Sequence, residues 1–170
     1  MNKSILSAGL HIVIITSLQV FLLRNAGFIF LDKYSFTVFL YPIVIFTLPL
    51  KTPKVLLLFL AFFLGIFIDL FYDSPGVHTA SFVLTAYIRS GVLRLLEPRG
   101  GYRIETAPTI GHYGLSWFCT YSAILLFTHI LTYFVIDTFT FVFVDKILIN
   151  AISSFAISYL LILLYQIILR

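Results

Sequence analysis

Long apolar stretches, separated by short polar connections, make up almost the whole chain. A helix of about 20 apolar residues spans the hydrocarbon core of a bilayer. The pattern predicts six such helices, at Ser4–Leu23, Phe36–Leu50, Val55–Tyr72, Val77–Leu96, Tyr113–Ile136 and Ile147–Leu169. We therefore predict an all-α fold, a polytopic integral membrane bundle of about six transmembrane helices in which residues 1–170 form a single transmembrane domain.

The second of these segments is the least regular. It has only 15 residues and contains Pro42 and Pro49. Proline ends or kinks a helix because it has no backbone N–H to donate. A tilted, kinked or partly re-entrant segment is therefore expected at Phe36–Leu50, and a count of five membrane-crossing helices stays open.

The charged residues in the connections predict the orientation of the bundle. Basic residues near the ends of transmembrane helices concentrate on the cytoplasmic side. If the connections alternate between sides, one side holds seven basic residues, namely Lys3, Lys51, Lys54, Arg94, Arg99, Arg103 and Arg170. The other side holds three, namely Arg24, Lys33 and Lys146. Both termini are therefore expected in the cytoplasm.

Composition supports the same class of protein. The chain is 61% hydrophobic and 11% charged, whereas about 25% of the residues of a soluble domain are charged. The net charge of +4 is explained by the topology signal of the basic side, so no nucleic-acid partner is expected.

Polar residues recur on one face of three predicted helices. Small residues on such a face let two backbones approach closely, and polar side chains hydrogen-bond between helices. We interpret these faces as packing seams, with a helix-lined ligand cavity as the alternative. The seams comprise Ala61, Gly65 and Asp69 on the third helix, His78, Ser81, Thr85 and Arg89 on the fourth, and Asn150, Ser154 and Ser158 on the sixth.

Asp69 and His78 flank the turn at Asp73–Gly76 and are expected to lie close together. Charged groups inside a span are costly and are usually paired or functional. One interpretation is an ion pair or a carboxylate that closes the turn, and the other is a proton or ligand site. Under the first, Asp69→Asn should be mild. Arg89 is expected to extend to the inner face beside Arg94.

Motifs for membrane-embedded catalysis are missing from the sequence. It contains no His-Glu-x-x-His, no Gly-rich nucleotide loop and no Ser placed beside a base in a shaped turn. Asp69 and Asp73 share a helical face, but they lie beside a turn at the membrane boundary. We therefore expect a protein that is not an enzyme and that has no catalytic residue, metal or cofactor.

One region carries a more specific pattern. Residues Phe62–Ala86 read FFLGIFIDLFYDSPGVHTASFVLTA, in which a helix ends in Gly-x-x-x-Asp and a short turn leads to a His that opens the next helix. This region resembles the hallmark region of the rod-shape-determining MreD family. Five residues match the family pattern, and we call them the hairpin motif: Gly65, Asp69, Asp73, Gly76 and His78.

The resemblance implies a non-enzymatic component of the bacterial inner (cytoplasmic) membrane that helps to organise cell-wall elongation. The implied partners are an MreC-like membrane protein, the actin-like MreB, and the peptidoglycan synthases RodA and its penicillin-binding transpeptidase. The family is also similar in fold to substrate-binding subunits of energy-coupling-factor transporters. A small-molecule transport subunit with Asp69, His78 and Arg89 as ligand contacts is therefore the alternative, and a membrane-embedded enzyme is a third hypothesis.

Overall fold

Among the residues that the structure describes, 76% are helical, as the hydrophobic pattern predicts. The computed structural model describes residues 3–30, 34–103, 105–139, 142 and 144–169. Within these ranges the α-helices are α1 (Lys3–Leu18), α2 (Ile43–Thr47), α3 (Lys54–Tyr72), α4 (Val77–Leu95), α5 (Ile110–Tyr113), α6 (Leu115–Thr138) and α7 (Val144–Ile168). α1 continues through a π-helical turn, Gln19–Leu23, and a 3-10 turn, Arg24–Ala26.

Four helical stretches in the described ranges are long and apolar enough to cross a membrane, and they suggest a membrane protein. They are Gly9–Ala26, Lys54–Tyr72, Leu115–Thr138 and Val144–Ile168. The four correspond to the first, third, fifth and sixth predicted segments. The fourth predicted segment also forms a long helix, α4, with 19 residues, but its many polar side chains keep it out of this group.

The second predicted segment is not a transmembrane helix, so the expectation of a helix at Phe36–Leu50 is wrong. Its only helical part is α2, with 5 residues. α2 starts directly after Pro42 and ends at Thr47, and the backbone of the following Leu48 is extended as expected for a residue before proline. The interruption of the helix that Pro42 and Pro49 predict is therefore confirmed.

A short antiparallel β-hairpin, which the hydrophobic pattern does not predict, precedes this segment of the helical fold. Strand β1 (Phe28–Phe30) pairs with β2 (Tyr34–Phe36), with Ile29 opposite Ser35. Residues 37–40 then have no regular secondary structure, and Tyr41 and Pro42 form a turn that leads into α2.

Residues 37–48, which we call the core segment, run through the interior of the bundle. α3 packs on α4, α4 on α6 and α6 on α7. Phe39 is 0% exposed, and Tyr41 and Phe46 are also fully buried. Non-helical backbone at membrane depth is tolerated only where protein satisfies its polar groups. The fold therefore requires hydrogen-bond partners for the backbone groups of the core segment.

Candidate functional site: polar side chains around the core segment

The polar seam of α7 binds the backbone of the β1–β2 hairpin and of the core segment. Alternate residues of an extended chain are about 6.6 Å apart, and residues four apart on a helix are separated by about 6 Å along its axis. Every second backbone N–H group of residues 35–39 therefore lies opposite every fourth residue of α7. The bonds run from the N–H of Ser35 to Asn150 Oδ1 (3.2 Å), of Thr37 to Ser154 Oγ (3.0 Å) and of Phe39 to Ser158 Oγ (2.8 Å).

Ser154→Ala is expected to lower the free energy of unfolding by about 0.5–1.5 kcal/mol, because the part-buried Thr37 N–H would lose its acceptor. Denaturation by sodium dodecyl sulfate in mixed micelles measures this change. Ser153→Ala is the matched control, since Ser153 is partly exposed and makes no side-chain hydrogen bond to the described residues. Equal effects of the two substitutions would contradict the role of the seam.

Gln19 holds the core segment from the opposite side. This fully buried side chain lies in the π-helical turn after α1. Its Oε1 accepts the N–H groups of Leu40 (2.8 Å) and Tyr41 (3.3 Å), and its Nε2 donates to the Val38 carbonyl (2.8 Å). Nε2 also donates to the Tyr72 hydroxyl (2.7 Å). A single amide thus satisfies three backbone groups. Gln19 is not among the residues that the sequence pattern indicates.

Tyr41 links two buried histidines in a chain of hydrogen bonds whose direction can be assigned. The Thr85 hydroxyl donates to the Ser81 carbonyl (2.7 Å), so Thr85 Oγ1 accepts from His129 Nδ1–H (3.1 Å). His129 Nε2 must then accept the Tyr41 O–H (2.6 Å). Tyr41 in turn accepts from His78 Nδ1–H (2.9 Å). Neutral histidines satisfy every bond in this chain.

The chain of hydrogen bonds ends at His78 Nε2. It is the one fully enclosed side-chain nitrogen or oxygen without a hydrogen-bond partner in the described part of the molecule. The rings of Tyr72 and Tyr133 pack against the imidazole, at centroid distances of 4.7 and 4.8 Å. The ion pair with Asp69, one of the two structural alternatives from sequence, is not formed, because the imidazole bonds to Tyr41.

The Asp69 carboxylate closes the turn between α3 and α4. α4 begins after Gly76, which has no side chain to cap the helix. Asp69 takes that part, accepting the N–H groups of Gly76 (3.1 Å), His78 (2.9 Å) and Thr79 (3.0 Å). The hydroxyls of Thr79 and Ser74 also donate to it. A carboxylate at a helix N-terminus satisfies unpaired donors and interacts favourably with the helix dipole.

The other motif residues shape the same turn. At Gly65 the two helices approach so closely that an added Cβ would lie 2.5 Å from the Thr79 Cα. Asp73 ends α3 in a left-handed conformation, with φ of 52°. Its exposed carboxylate pairs with Arg24 at 3.3 Å. The hairpin motif therefore forms one structural unit, in which each residue interacts with the chain itself.

Arg89 binds the C-terminal end of α2. The side chain is buried at 3% exposure, so the expectation that it extends to the surface beside the exposed Arg94 is wrong. Its Nε donates to the Tyr121 hydroxyl (3.0 Å) and its Nη2 donates to the Leu48 carbonyl. Tyr121 donates onward to the Phe46 carbonyl (3.0 Å). A cation is favourable at a helix C-terminus, where carbonyl groups lack helical partners.

Arg89→Lys is expected to lower the free energy of unfolding by about 2–3 kcal/mol, because one ammonium group does not reproduce the planar, two-directional donation of a guanidinium. The same denaturation assay measures the loss. Arg94→Lys is the control, and its exposed side chain should show a change below about 0.5 kcal/mol. A tolerated Arg89→Lys would show that the contacts to Tyr121 and Leu48 contribute little.

The predicted seam residues of α4 and α7 therefore point inward and bind this chain. Ser81 Oγ donates to the Val77 carbonyl (2.8 Å), and Thr85 belongs to the Tyr41 network. No group of three or more metal-ligating side chains occurs in the described ranges. The arrangement holds an irregular segment in a fixed position inside the bundle.

Comparisons with known proteins add no relative. No protein-family model matches the chain, and no match is found among curated proteins or solved structures. The likeness to the MreD family therefore rests on the residues of the hairpin motif and their surroundings in the sequence.

Proposed function

We propose that this protein is a non-enzymatic component of the bacterial inner membrane that helps to organise cell-wall elongation. The observation that supports this is the hairpin motif. Asp69 binds the N-terminus of α4, Gly65 lets α3 and α4 touch, and His78 joins the Tyr41 network. The motif that resembles the MreD family thus has a structural purpose that needs no substrate.

The alternative, a small-molecule transport subunit, requires Asp69, His78 and Arg89 to contact a ligand. Each of these side chains bonds to the chain itself. A ligand would have to displace hydrogen bonds that hold the core segment or the α3–α4 turn. This favours a scaffold over a transport subunit that uses those residues.

The outer surface of α3 is the proposed contact for the single transmembrane helix of an MreC-like partner. This aromatic face consists of four exposed side chains on one side of α3: Phe59, Phe62, Phe63 and Phe67. Aromatic side chains are frequent anchors of protein interfaces. Because α4 binds the opposite side of α3 through Gly65, the aromatic face stays available to a neighbouring helix.

The basic end of the bundle is the proposed cytoplasmic surface, with both termini inside. The loop that carries Arg99 and Arg103 is held at the end of α4, because the Tyr102 hydroxyl donates to the Leu93 carbonyl (2.8 Å) and Trp117 Nε1 donates to Leu96 (2.8 Å). Burial raises the pKa of Tyr102 to about 12, so this hydroxyl remains a donor at physiological pH. Basic side chains near an anionic leaflet contribute about 1 kcal/mol each.

Affinity purification in a mild detergent, followed by mass spectrometry, tests this function. The tagged wild-type protein is expected to recover an MreC-like protein together with wall synthases. Phe63→Leu combined with Phe67→Leu should reduce recovery of the MreC-like protein, whereas Leu160→Val on an exposed face of α7 should not. Recovery of ATPase subunits without wall proteins would instead support the transport alternative.

A further inference from the structure

A cavity of about 580 Å³ opens at the basic end of the bundle. It lies between α1, α2, α7 and residues 105–112, and it contains none of the hairpin-motif residues. Its volume is within the range of about 300–1,000 Å³ that is typical of small-molecule sites. The cavity is thus separate from the hairpin motif, and it borders the core segment at Val44, Thr47 and Leu48.

Gln166 on α7 is the most informative residue of the cavity wall. The side chain is only 6% exposed, yet its amide makes no hydrogen bond to any residue that the structure describes. The amide is not fully enclosed by protein atoms either, because it faces the cavity. Because the amide has no protein partner and borders the cavity, a polar group of a ligand in the cavity can hydrogen-bond to it.

Two further polar groups face the same space. Tyr165 hydrogen-bonds to His11 Nδ1 (3.0 Å) and also lies 3.5 Å from His11 Nε2, which carries the proton when the tyrosine donates to Nδ1. The Thr47 hydroxyl donates to the Ile43 carbonyl (2.8 Å), which leaves its oxygen as an acceptor. The cavity therefore offers neutral donors and acceptors.

Most of the remaining wall residues are apolar, whereas Thr109 Oγ1 and His112 Nδ1 hydrogen-bond to each other (2.9 Å). Ile12, Val44 and Leu48 line the cavity. Glu105 at the mouth lies 3.9 Å from the Lys51 ammonium. These features fit an uncharged, amphipathic group better than a phosphate or another ion.

The position of Gln166 along α7 indicates which part of a membrane lipid lies beside it. Gln166 is two residues from the end of α7 at Ile168, which is about 3 Å along the helix axis. It therefore lies near the interface, where the ester groups of glycerolipids are found. We propose that the cavity binds the glycerol-ester region of a membrane glycerolipid, with Gln166 Nε2 donating to an ester carbonyl and the first methylenes packing on Ile12 and Val44.

Thermal unfolding of the delipidated protein in detergent tests the site, with dioleoylglycerol and its dioleyl ether analogue as probes. The diester is expected to raise the Tm of the wild type in a saturable manner, because a ligand that binds only the folded state stabilises it. The ether lacks the carbonyl acceptors and should raise the Tm less. These comparisons separate ester recognition from a general effect of apolar additives.

Three variants complete the test. Gln166→Leu should abolish the difference between ester and ether, since leucine has no N–H to donate to an ester carbonyl. Gly111→Leu fills the cavity from α5 and should abolish the diester effect. Gly9→Leu, with open space around it, should keep it. No saturable rise in the wild type, or an equal rise in Gln166→Leu, would overturn the proposal.

Discussion

Asp69→Asn is expected to lower the free energy of unfolding by roughly 2–4 kcal/mol, because the carboxylate accepts several buried hydrogen bonds. Both carboxylate oxygens accept hydrogen bonds from N–H groups, Oδ1 from His78 and Oδ2 from Gly76 and Thr79. Asparagine has only one acceptor oxygen, so its amide group would face at least one N–H donor. The expectation from sequence that this substitution is mild is therefore revised.

Denaturant titration in mixed micelles measures the loss at Asp69, and Asp73→Asn is the matched control. Asp73 has a side chain that is 87% exposed, and its ion pair with Arg24 contributes at most about 1 kcal/mol. Asparagine is also tolerated in the left-handed conformation of Asp73. If both variants retain wild-type stability while only Asp69→Asn loses function in cells, a ligand or proton site at Asp69 would replace the capping role.

Gly65→Ala is expected to destabilise the protein by about 1–3 kcal/mol, as overpacking does in a close helix contact. The added Cβ would lie 2.5 Å from the Thr79 Cα and 3.0 Å from its Oγ1. Because the nearest atom belongs to the backbone, α3 and α4 have to move apart. That movement would also lengthen the bonds from α4 to Asp69.

Gly91→Ala on α4 is the control for this substitution, since a Cβ there meets nothing within 4 Å. It should be neutral or stabilising by up to about 1 kcal/mol, because alanine is the better helix former. The Tm of both variants in the same detergent measures the contrast. A Gly65→Ala variant as stable as Gly91→Ala would show that the two helices are not in close contact at this point.

The seam residues were predictable because four-residue spacing places them on one helical face. The backbone groups to which the α7 seam binds were not predictable. Ser158 bonds to Phe39, which is 119 residues away along the chain, and nothing local in the sequence pairs the two. Periodicity also does not distinguish a short apolar helix from a buried extended segment, so residues 37–41 were assigned to a helix.

The hydrogen bonds of Gln19 and Tyr41 could be identified only from the structure. Gln19 is a single amide within an apolar stretch, and such a residue in a predicted span is a signal of a buried hydrogen-bonding role. Tyr41 directly precedes Pro42, which predicts an extended backbone at that residue. Neither signal shows that the two residues meet, or that Tyr41 reaches both His78 and His129.

Hydrogen exchange of the backbone amides, followed by mass spectrometry in lipid nanodiscs, is the most direct test of the buried core segment. The N–H groups of Thr37, Phe39 and Leu40 are expected to exchange as slowly as those in the middle of α6, because side chains of α7 and Gln19 accept them. Ser158→Ala should accelerate exchange at Phe39. Exchange of these amides at the rate of an unstructured loop in the wild type would contradict the arrangement, and the seams would then be free to line a cavity.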